Sequence, residues 1–259
     1  MTGADWPAPA PGAARLPRMV AAQTGLEVRT LARNGEQVLL TLIIPVLLLV
    51  VFSSEALISV GPGSRIGFIA PGILALAVLS TSFTSLAIGT AFERRYGVLK
   101  RLGATPLSRS GLIAAKAATV LAVEAGQVVL IVVVSLALGW RPVITPTSVI
   151  SAVAVLVAGS LAFSGLAMLM AGTIRAEATL AAANLVYLVL LGIGGIVFPL
   201  TKFPASVRPA LRLLPSGAMS DGLRAVLRYG AGLPARDLLV LVAWAVIAIA
   251  IAARTFRWE

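Results

Sequence analysis

The residues best placed to do chemistry in this chain are a glutamate and a glutamine on one long apolar stretch. Glu124 and Gln127 are three residues apart, so they share one face of a helix. Glu124 follows Lys116 by about two helical turns, which places its carboxyl group inside the hydrocarbon if Lys116 extends to the membrane edge. An ionisable group at that depth indicates a cavity lining, a proton site or a hydrogen-bonded strut between helices.

Smaller polar side chains lie on two other apolar stretches. Ser82 and Ser85 precede Glu124 along the chain, and Asn184 and Tyr187 follow it. Together with Glu124 and Gln127 they are our candidates for a translocation path. Small hydroxyl residues also pack membrane helices closely, so a structural role for the serines stays open.

The sequence contains no histidine and no cysteine. This excludes thiol nucleophiles, disulfides and zinc sites with the usual ligands, and it removes the commonest general acid and base. No close pair of carboxylates replaces them. The phosphate-binding pattern G-x-x-x-x-G-K-[ST] is also absent. We therefore predict no catalytic residues, no metal site, no cofactor bound by this chain and no ATPase activity of its own.

The composition predicts a membrane protein. Of the 259 residues, 59% are hydrophobic and 12% are charged, whereas about 25% of a soluble domain is charged. The mean hydropathy of +0.99 points the same way, because a soluble fold cannot bury so much apolar surface. The net charge of +11 is dispersed between apolar stretches. Anionic lipid headgroups are therefore a better counter-charge than nucleic acid.

Six apolar stretches have the length that a bilayer requires. We expect an all-α integral membrane protein with six transmembrane helices in a single domain over residues 18–259. Residues 1–17, rich in proline, alanine and glycine, are predicted to be a disordered tail. Residues 18–36 are mildly amphipathic and predict an interfacial helix. The six spans are predicted at residues 38–54, 66–91, 113–138, 149–173, 180–197 and 238–253.

The basic residues predict the orientation of these spans. With the N-terminus inside, 13 bases fall on the cytoplasmic side and eight on the outer side. The bias favours a multi-pass protein of the cell membrane with both termini in the cytoplasm.

The strongest contribution to that bias is a polar segment, residues 92–116, between two predicted spans. Between Glu93 and Arg109 it carries one acid and five bases. Its first half reads as a helix, and the Thr105–Pro106 pair disfavours helical geometry beyond it. The segment is either a contact for a cytoplasmic partner or a solvated loop that orients the protein. The candidate contact residues are Glu93, Arg94, Arg95, Gly97, Lys100, Arg101, Thr105 and Pro106.

A second unusual segment covers residues 198–237, on the predicted outer side. Prolines divide it into two short helical pieces, neither long enough to cross a bilayer. The pieces lie in the outer interface, or they enter the membrane and return where protein shields their backbone. A flexible loop is the alternative, although the helix faces are apolar. The residues that mark the segment are Phe198, Pro199, Pro204 and Pro215.

Three segments of the chain resemble the permeases of type-2 ATP-binding-cassette exporters, the family that includes daunorubicin-resistance-like efflux permeases. The first, RTLARNGEQVLLTLIIPVLLLVVF, is similar to the interfacial helix and first span of that family. The second, FERRYGVLKRLGATPLSRSGLIAAK, is similar to its cytoplasmic signature. The third, GGIVFPLTKFPASVRPALRLLPSGAMSDGLRAVL, resembles its extracellular re-entrant region.

The resemblance implies a division of labour between subunits. The chain would be one half of a dimeric pore, paired with an identical or different permease. A coupling helix at about residues 92–105 would dock on a separate nucleotide-binding subunit that holds ATP and Mg²⁺. Gly97 would allow close approach there, and Pro106 would fix the elbow into the next span. The implied substrate is a hydrophobic or amphipathic compound, such as a drug, lipid or glycolipid, moved outward.

A proton-coupled secondary transporter that uses Glu124 is the alternative function. Such a transporter predicts inverted repeats and further acids inside the spans. The sequence shows neither, so the exporter is favoured.

Overall fold

A computed structural model describes residues 12, 14–54, 63–103 and 105–255, with the backbone alone at residues 36–40, 103, 109 and 110. These residues are predominantly α-helical, and no β-strand occurs among them. The predicted all-α fold is confirmed for this part of the chain. Most of the predicted disordered tail, residues 1–17, lies outside the described residues.

The helices follow one another with short connections. A π-helical segment, Leu79–Ser85, joins α3 to α4, and one 3₁₀ turn, Leu200–Lys202, follows α8. The bounds are α1 Leu16–Arg33, α2 Gly35–Ser54, α3 Arg65–Val78, α4 Leu86–Arg95, α5 Val98–Gly103, α6 Arg109–Ala137, α7 Pro146–Thr173, α8 Ala176–Ile193, α9 Arg208–Leu211, α10 Pro215–Leu227 and α11 Ala235–Thr255.

Within the described residues, five helical segments are long and apolar enough to cross a membrane, which makes the chain a multi-pass membrane protein. They correspond to the second through sixth predicted spans. The first predicted span falls on α2, whose described apolar part, Thr41–Ser54, is shorter. A sixth crossing by α2 therefore stays a prediction. The five segments are Arg65–Arg95, Gly111–Ala137, Pro146–Thr173, Ala176–Ile193 and Ala235–Thr255.

The segment Arg65–Arg95 runs through the centre of the bundle. Every residue from Ile66 to Val78 is buried, and α2, α6, α7 and α10 pack around this part of the helix. A helix that is apolar all round can face either protein or lipid, and this one is enclosed by protein.

The π-helical segment interrupts this central helix with the polar sequence LSTSFTS. The hydroxyl of Ser82 donates a hydrogen bond of 2.6 Å to the carbonyl of Val78, four residues earlier. Such a bond competes with the backbone for its own acceptors and favours local distortion of a helix. Single-turn π-helical segments are frequent at functional sites.

Helices α1, α4, α6, α7 and α8 meet at one end of the bundle. The hydroxyl of Thr24 in α1 donates to the carbonyl of Ala115 near the start of α6, at 3.3 Å. Arg94 at the end of α4 donates to the carbonyl of Ile174, just after α7. Arg95 pairs with Glu177 in the first turn of α8. We call this the α5 end, because α5 follows α4 there.

The last helix returns to the same end. Helix α11 packs along α7 in parallel, because Gly165 in α7 lies beside Ala248 and Ile249. Near the opposite end, Gly222 of α10 lies between Val155 of α7 and Asp237 of α11. The described N-terminal helix and the end of α11 therefore share one end, as the predicted six-span topology requires.

The stretch predicted as one coupling helix, residues 92–105, is divided in the structure. Residues 92–95 complete α4, Tyr96 and Gly97 form a turn, and α5 covers only Val98–Gly103. Gly97 has φ +69°, which glycine adopts without strain, and no atom lies within 4 Å of a Cβ built there. The positive φ of the turn therefore requires a glycine at this position. No close contact with another part of the chain requires it.

Two other boundaries also differ from the predictions. The predicted interfacial helix, residues 18–36, ends at Arg33, because Asn34 leaves the helical conformation before α2 begins. The predicted fifth span, residues 180–197, ends at Ile193. Gly195, with φ +70°, turns the backbone just beyond it.

Candidate functional site

A cluster of buried polar side chains lies where α6 faces the π-helical segment. The hydroxyl of Thr81 donates to the amide oxygen of Gln127 at 2.8 Å. The amide nitrogen of Gln127 donates to the carbonyl of Thr41 in α2 at 2.9 Å. Gln127 thereby joins three elements with both ends of its amide. We call Thr81, Ser82, Glu124, Gln127 and Ser160 the buried polar cluster.

Glu124 lies one helical turn before Gln127 and is also buried. Its carboxyl group faces Ser82 of the π-helical segment and Ser160 of α7. The carboxyl oxygen Oε1 has no hydrogen-bond partner among the described residues. A buried carboxyl in this state is costly unless it is protonated or meets another polar group. The arrangement fits a strut between helices and also fits a proton site.

The structure unites only part of the predicted translocation path. Glu124, Gln127 and Ser82 come together in the buried polar cluster. Asn184 is exposed on α8 and donates to the carbonyl of Leu180 in its own helix. Tyr187 packs at the edge of the hydrophobic core, and Ser85 is half-buried at the end of the π-helical segment. Ser160 carries no recognisable signal in the sequence, because one serine among small residues of a long helix has no distinguishing pattern.

A second cluster joins three helices at the α5 end. The ammonium group of Lys116 in α6 lies 2.6 Å from a carboxylate oxygen of Glu93 in α4 and 3.6 Å from one of Glu27 in α1. The Lys116 side chain is only 5% exposed, so it pairs inside the protein and does not extend to solvent. Gln23 donates to the same oxygen of Glu27 at 2.9 Å.

The predicted contact residues of the polar segment fall into two groups. Glu93, Arg94 and Arg95 make contacts within the chain, to Lys116, Ile174 and Glu177 respectively. The others are on or after α5, where Lys100, Arg101, Thr105 and Pro106 are exposed and Gly97 forms the preceding turn. Leu99 is buried and anchors α5 against the bundle. These exposed residues, together with Arg95, whose side chain is half exposed despite its pair with Glu177, are the surface that a partner can reach.

The opposite end of the bundle is closed by α10, part of the predicted re-entrant segment. Its Arg224 is buried and donates to the carbonyls of Phe68, Gly195 and Ile196, at 3.2, 2.5 and 2.8 Å. Its guanidinium also lies 3.6 Å from the centre of the Phe68 ring. The carbonyls of Gly195 and Ile196 lie just beyond the C-terminal end of α8, where a cation complements the helix dipole. We call this set of contacts the Arg224 clasp.

Burial determines the electrostatics around the clasp. It lowers the pKa of Arg224 to about 9, an effect that Asp221 opposes. Burial also raises the pKa of Asp221, and Arg224 and Arg212 oppose that rise. Arg224 therefore stays charged at neutral pH and needs the carbonyls that surround it.

Two glycines allow α10 to approach the end of α8. A side chain at Gly194 would meet the hydroxyl of Ser216, and one at Gly195 would meet Ser220 and Leu200. Ser220 donates to the carbonyl of Gly194 at 3.0 Å. Two glycines of the run from Gly192 to Gly195 are therefore required by the contact between α10 and the end of α8. Of the residues predicted to mark this segment, Pro199 and Pro215 are buried. Phe198 and Pro204 are exposed.

No group of three or more acids that would hold a metal ion occurs in the described part of the chain. The polar residues instead form an intramembrane cluster, an ion cluster at the α5 end and a clasp at the other end.

Comparison with known families gives one match. The model of a family described as ABC-2 family transporter protein matches residues 60–254. The match includes α3 to α10 and all but the last residue of α11, and therefore the whole Arg224 clasp, α5 and the whole buried polar cluster. No curated protein matches the chain.

Proposed function

The chain belongs to the ABC-2 family of transporter proteins, and we propose that it is the permease half of an ATP-driven exporter. In this proposal a separate nucleotide-binding subunit binds ATP and Mg²⁺, and two permease chains, identical or different, form the pore. Both termini and the α5 end lie in the cytoplasm, and α2 is the sixth crossing of the cell membrane. The segment 198–237 then lies at the outer face.

The observation that carries the proposal is the exposed basic surface of α5. Lys100 and Arg101 project from a six-residue helix that Leu99 anchors to the bundle. The arginines before the turn at Gly97 contact the ends of α7 and α8. A force applied to α5 is therefore transmitted to three of the membrane helices. Complementary charge on an ATPase would fix the register of such a contact.

A lateral groove supports an apolar or amphipathic substrate. The groove lies between α2 and α6, has a volume of about 600 Å³ and is lined by six aliphatic residues from Leu42 to Val51 together with Leu130. The groove is open on one side, unlike the enclosed sites of similar volume that bury most of a small organic molecule. A groove without polar groups discriminates weakly between apolar molecules. It therefore supports a chemical class of substrate and not a single compound.

Glu124 supports the second candidate, a proton-coupled transporter, because its Oε1 lies buried without a donor among the described residues. That candidate requires transport without a partner ATPase, whereas the exporter requires the ATPase.

The test of the exporter is retention of a partner. The tagged full chain is purified from its native membranes in a mild detergent, and the bound proteins are identified by mass. We expect an ATPase with a phosphate-binding loop in about equal amount with the chain, and loss of that ATPase when Lys100 and Arg101 are both replaced by Glu. The control is Arg175→Glu with Arg254→Glu, two exposed bases at the same end but outside α5. Retention of the ATPase by the α5 variant, or its loss from the control, contradicts docking on α5.

A further inference from the structure

The π-helical segment Leu79–Ser85 holds about one residue more than an α-helix of the same length. The N–H of Leu86 donates to the carbonyl of Thr81, five residues earlier, whereas an α-helix closes each bond over four residues. The segment lies inside the long helical segment Arg65–Arg95. The residues after it are therefore displaced by one position from where an unbroken α-helix would place them. This displacement is a rotation of about 100° and an advance of about 1.5 Å.

The sequence of the π-helical segment is suited to a shift by one residue. Five of its seven residues, in the order LSTSFTS, are Ser or Thr. If the wide turn closes to an α-helix, each residue after it moves into the place of the next one. Thr84 then takes the place of Ser85, and a hydroxyl replaces a hydroxyl. The buried hydroxyl of Thr84 has no hydrogen-bond partner among the described residues, so the observed register leaves a polar group unsatisfied.

The charged end of α4 also accepts such a shift. Arg94 and Arg95 are consecutive, and Arg95 pairs with Glu177 in the first turn of α8. After the shift Arg94 takes the place of Arg95, so Glu177 keeps an arginine opposite it. The carbonyl of Ile174 loses the donor that Arg94 supplies in the observed register. The pair with α8 is therefore kept, and the contact with the end of α7 is broken.

The shift changes how closely α4 packs on the bundle. Ala87 is completely buried, and Leu86 takes its place, so a larger side chain enters a packed site. Helix α4 packs against α7 and α8, and it has to move outward from them to admit the leucine. Lys116 loses Glu93 but keeps Glu27, at 3.6 Å, so the ion pair between α1 and α6 survives.

We propose that the π-helical segment is a two-state device, whose wide turn closes and reopens and thereby shifts α4 by one residue against α7 and α8. The buried polar cluster holds the open form, because Thr81 bonds to Gln127 of α6 at 2.8 Å. Phe83 also packs on Phe163 of α7, with 6.5 Å between the ring centres. In the exporter, on which this last step rests, the shift connects α5, where the ATPase docks, with the buried polar cluster.

Hydrogen exchange of the purified full chain in detergent tests the shift without an ATPase. Each closure breaks the backbone hydrogen bonds of the wide turn and leaves those of α3 intact. We expect the amides of residues 81–87 to exchange at least about tenfold faster than those of residues 70–77, since local opening sets the rate of exchange. Deletion of Thr84 removes the extra residue and should slow residues 81–87 to the rate of α3. The matched variant Thr84→Val keeps the length and should keep the fast exchange.

Transport distinguishes a wide turn that moves from one that is static. Deletion of Thr84 leaves α3 and α4 with the faces they now present, so this variant should fold and retain the ATPase. It should lose ATP-driven accumulation of a lipophilic dye in inside-out vesicles, whereas Thr84→Val should transport normally. The control is deletion of Ala162, a completely buried residue of the unbroken helix α7. That deletion should prevent folding, because α7 has no extra residue to lose.

Three results would overturn the proposal. The first is exchange of residues 81–87 at the same rate in the natural chain and in the Thr84 deletion. The second is normal transport by that deletion variant, which would show that the extra residue is unused. The third is loss of its fold, as in the Ala162 deletion, which would show that the packing requires the residue. Absence of ATP-driven transport in the natural chain, together with the expected exchange, would instead contradict the exporter and support the register shift.

Discussion

At the scale of single residues, Gln127 holds the buried polar cluster together. Its amide oxygen accepts from Thr81 and its amide nitrogen donates to the carbonyl of Thr41, so one side chain connects α2, the π-helical segment and α6. The backbone carbonyl of Thr41 and the hydroxyl of Thr81 would both lose a partner without it. Buried polar groups without partners cost more in free energy than each bond contributes when formed.

We predict that Gln127→Leu lowers the free energy of unfolding by about 1 kcal/mol, within the range of interhelical hydrogen bonds in membranes. The matched control is Asn184→Leu, in which an exposed amide bonded only to its own helix is removed. Thermal unfolding of the two variants in detergent measures the difference. A midpoint for Gln127→Leu equal to that of Asn184→Leu would show that the cluster adds nothing to stability.

At the scale of elements, the Arg224 clasp holds the segment 198–237 against the bundle, although neither of its helices is long enough to span a membrane. The guanidinium group binds two carbonyls of the unwound stretch after α8 and one of α3. Gly72 in α3 permits this contact, since a side chain there would meet the carbonyl of Ile196 and the guanidinium. Backbone that is not helical is tolerated near a membrane where protein groups satisfy it in this way.

We predict that Arg224→Leu destabilises the chain by on the order of 3 kcal/mol, because three buried carbonyls lose a charged donor. Arg224→Lys should recover only part of the loss, since an ammonium group cannot match the planar fork of the guanidinium. Arg212→Leu is the control, because Arg212 is half-exposed and pairs with Asp221 at 3.7 Å. Such a surface pair contributes less than about 1 kcal/mol. A similar shift in unfolding temperature for Arg224→Leu and Arg212→Leu would contradict the clasp.

The sequence predicted the long apolar helices well, because lipid requires about twenty apolar residues for each crossing. It predicted their ends less well. The predicted fifth span ends four residues beyond α8, since Ile196 and Val197 are as apolar as the helix before them. Only the turn at Gly195 and the clasp by a residue about thirty positions later end the helix there.

The contacts of charged side chains were harder to predict from the sequence than the positions of the apolar helices. Four bases of the polar segment are predicted as candidate contacts for a partner, and the structure adds contacts within the chain for two of them, from Arg94 to Ile174 just after α7 and from Arg95 to Glu177 in α8. The partners of these two arginines lie about eighty residues away along the chain, and no local spacing indicates such a contact. Arg224 is a similar case, because the three carbonyls that it contacts lie 28 to 156 residues away along the chain.

At the scale of the whole molecule, the contacts place α1, α5 and the end of α11 at one end and α10 at the other. The basic bias predicts that the α5 end faces the cytoplasm. Because the chain has no cysteine, single cysteines report the side directly.

We predict that an impermeant thiol reagent labels Ser206→Cys in intact cells but labels Arg101→Cys only after the membrane is opened. Both positions are exposed, at opposite ends of the bundle. Ser216→Cys is the control for access, since that side chain is 1% exposed and should resist labelling until the protein is denatured. Labelling of Arg101→Cys from outside, with Ser206→Cys protected, would reverse the proposed orientation.

The most direct test of the exporter is transport in inside-out membrane vesicles that contain the chain and its ATPase. The accumulation of a lipophilic fluorescent dye is followed after ATP is added, with and without a protonophore. The account predicts accumulation that requires ATP, persists with the protonophore, is lost when Lys100 and Arg101 are replaced by Glu, and survives Glu124→Gln. Transport by the chain without the ATPase, driven by an imposed proton gradient and abolished by Glu124→Gln, would contradict it.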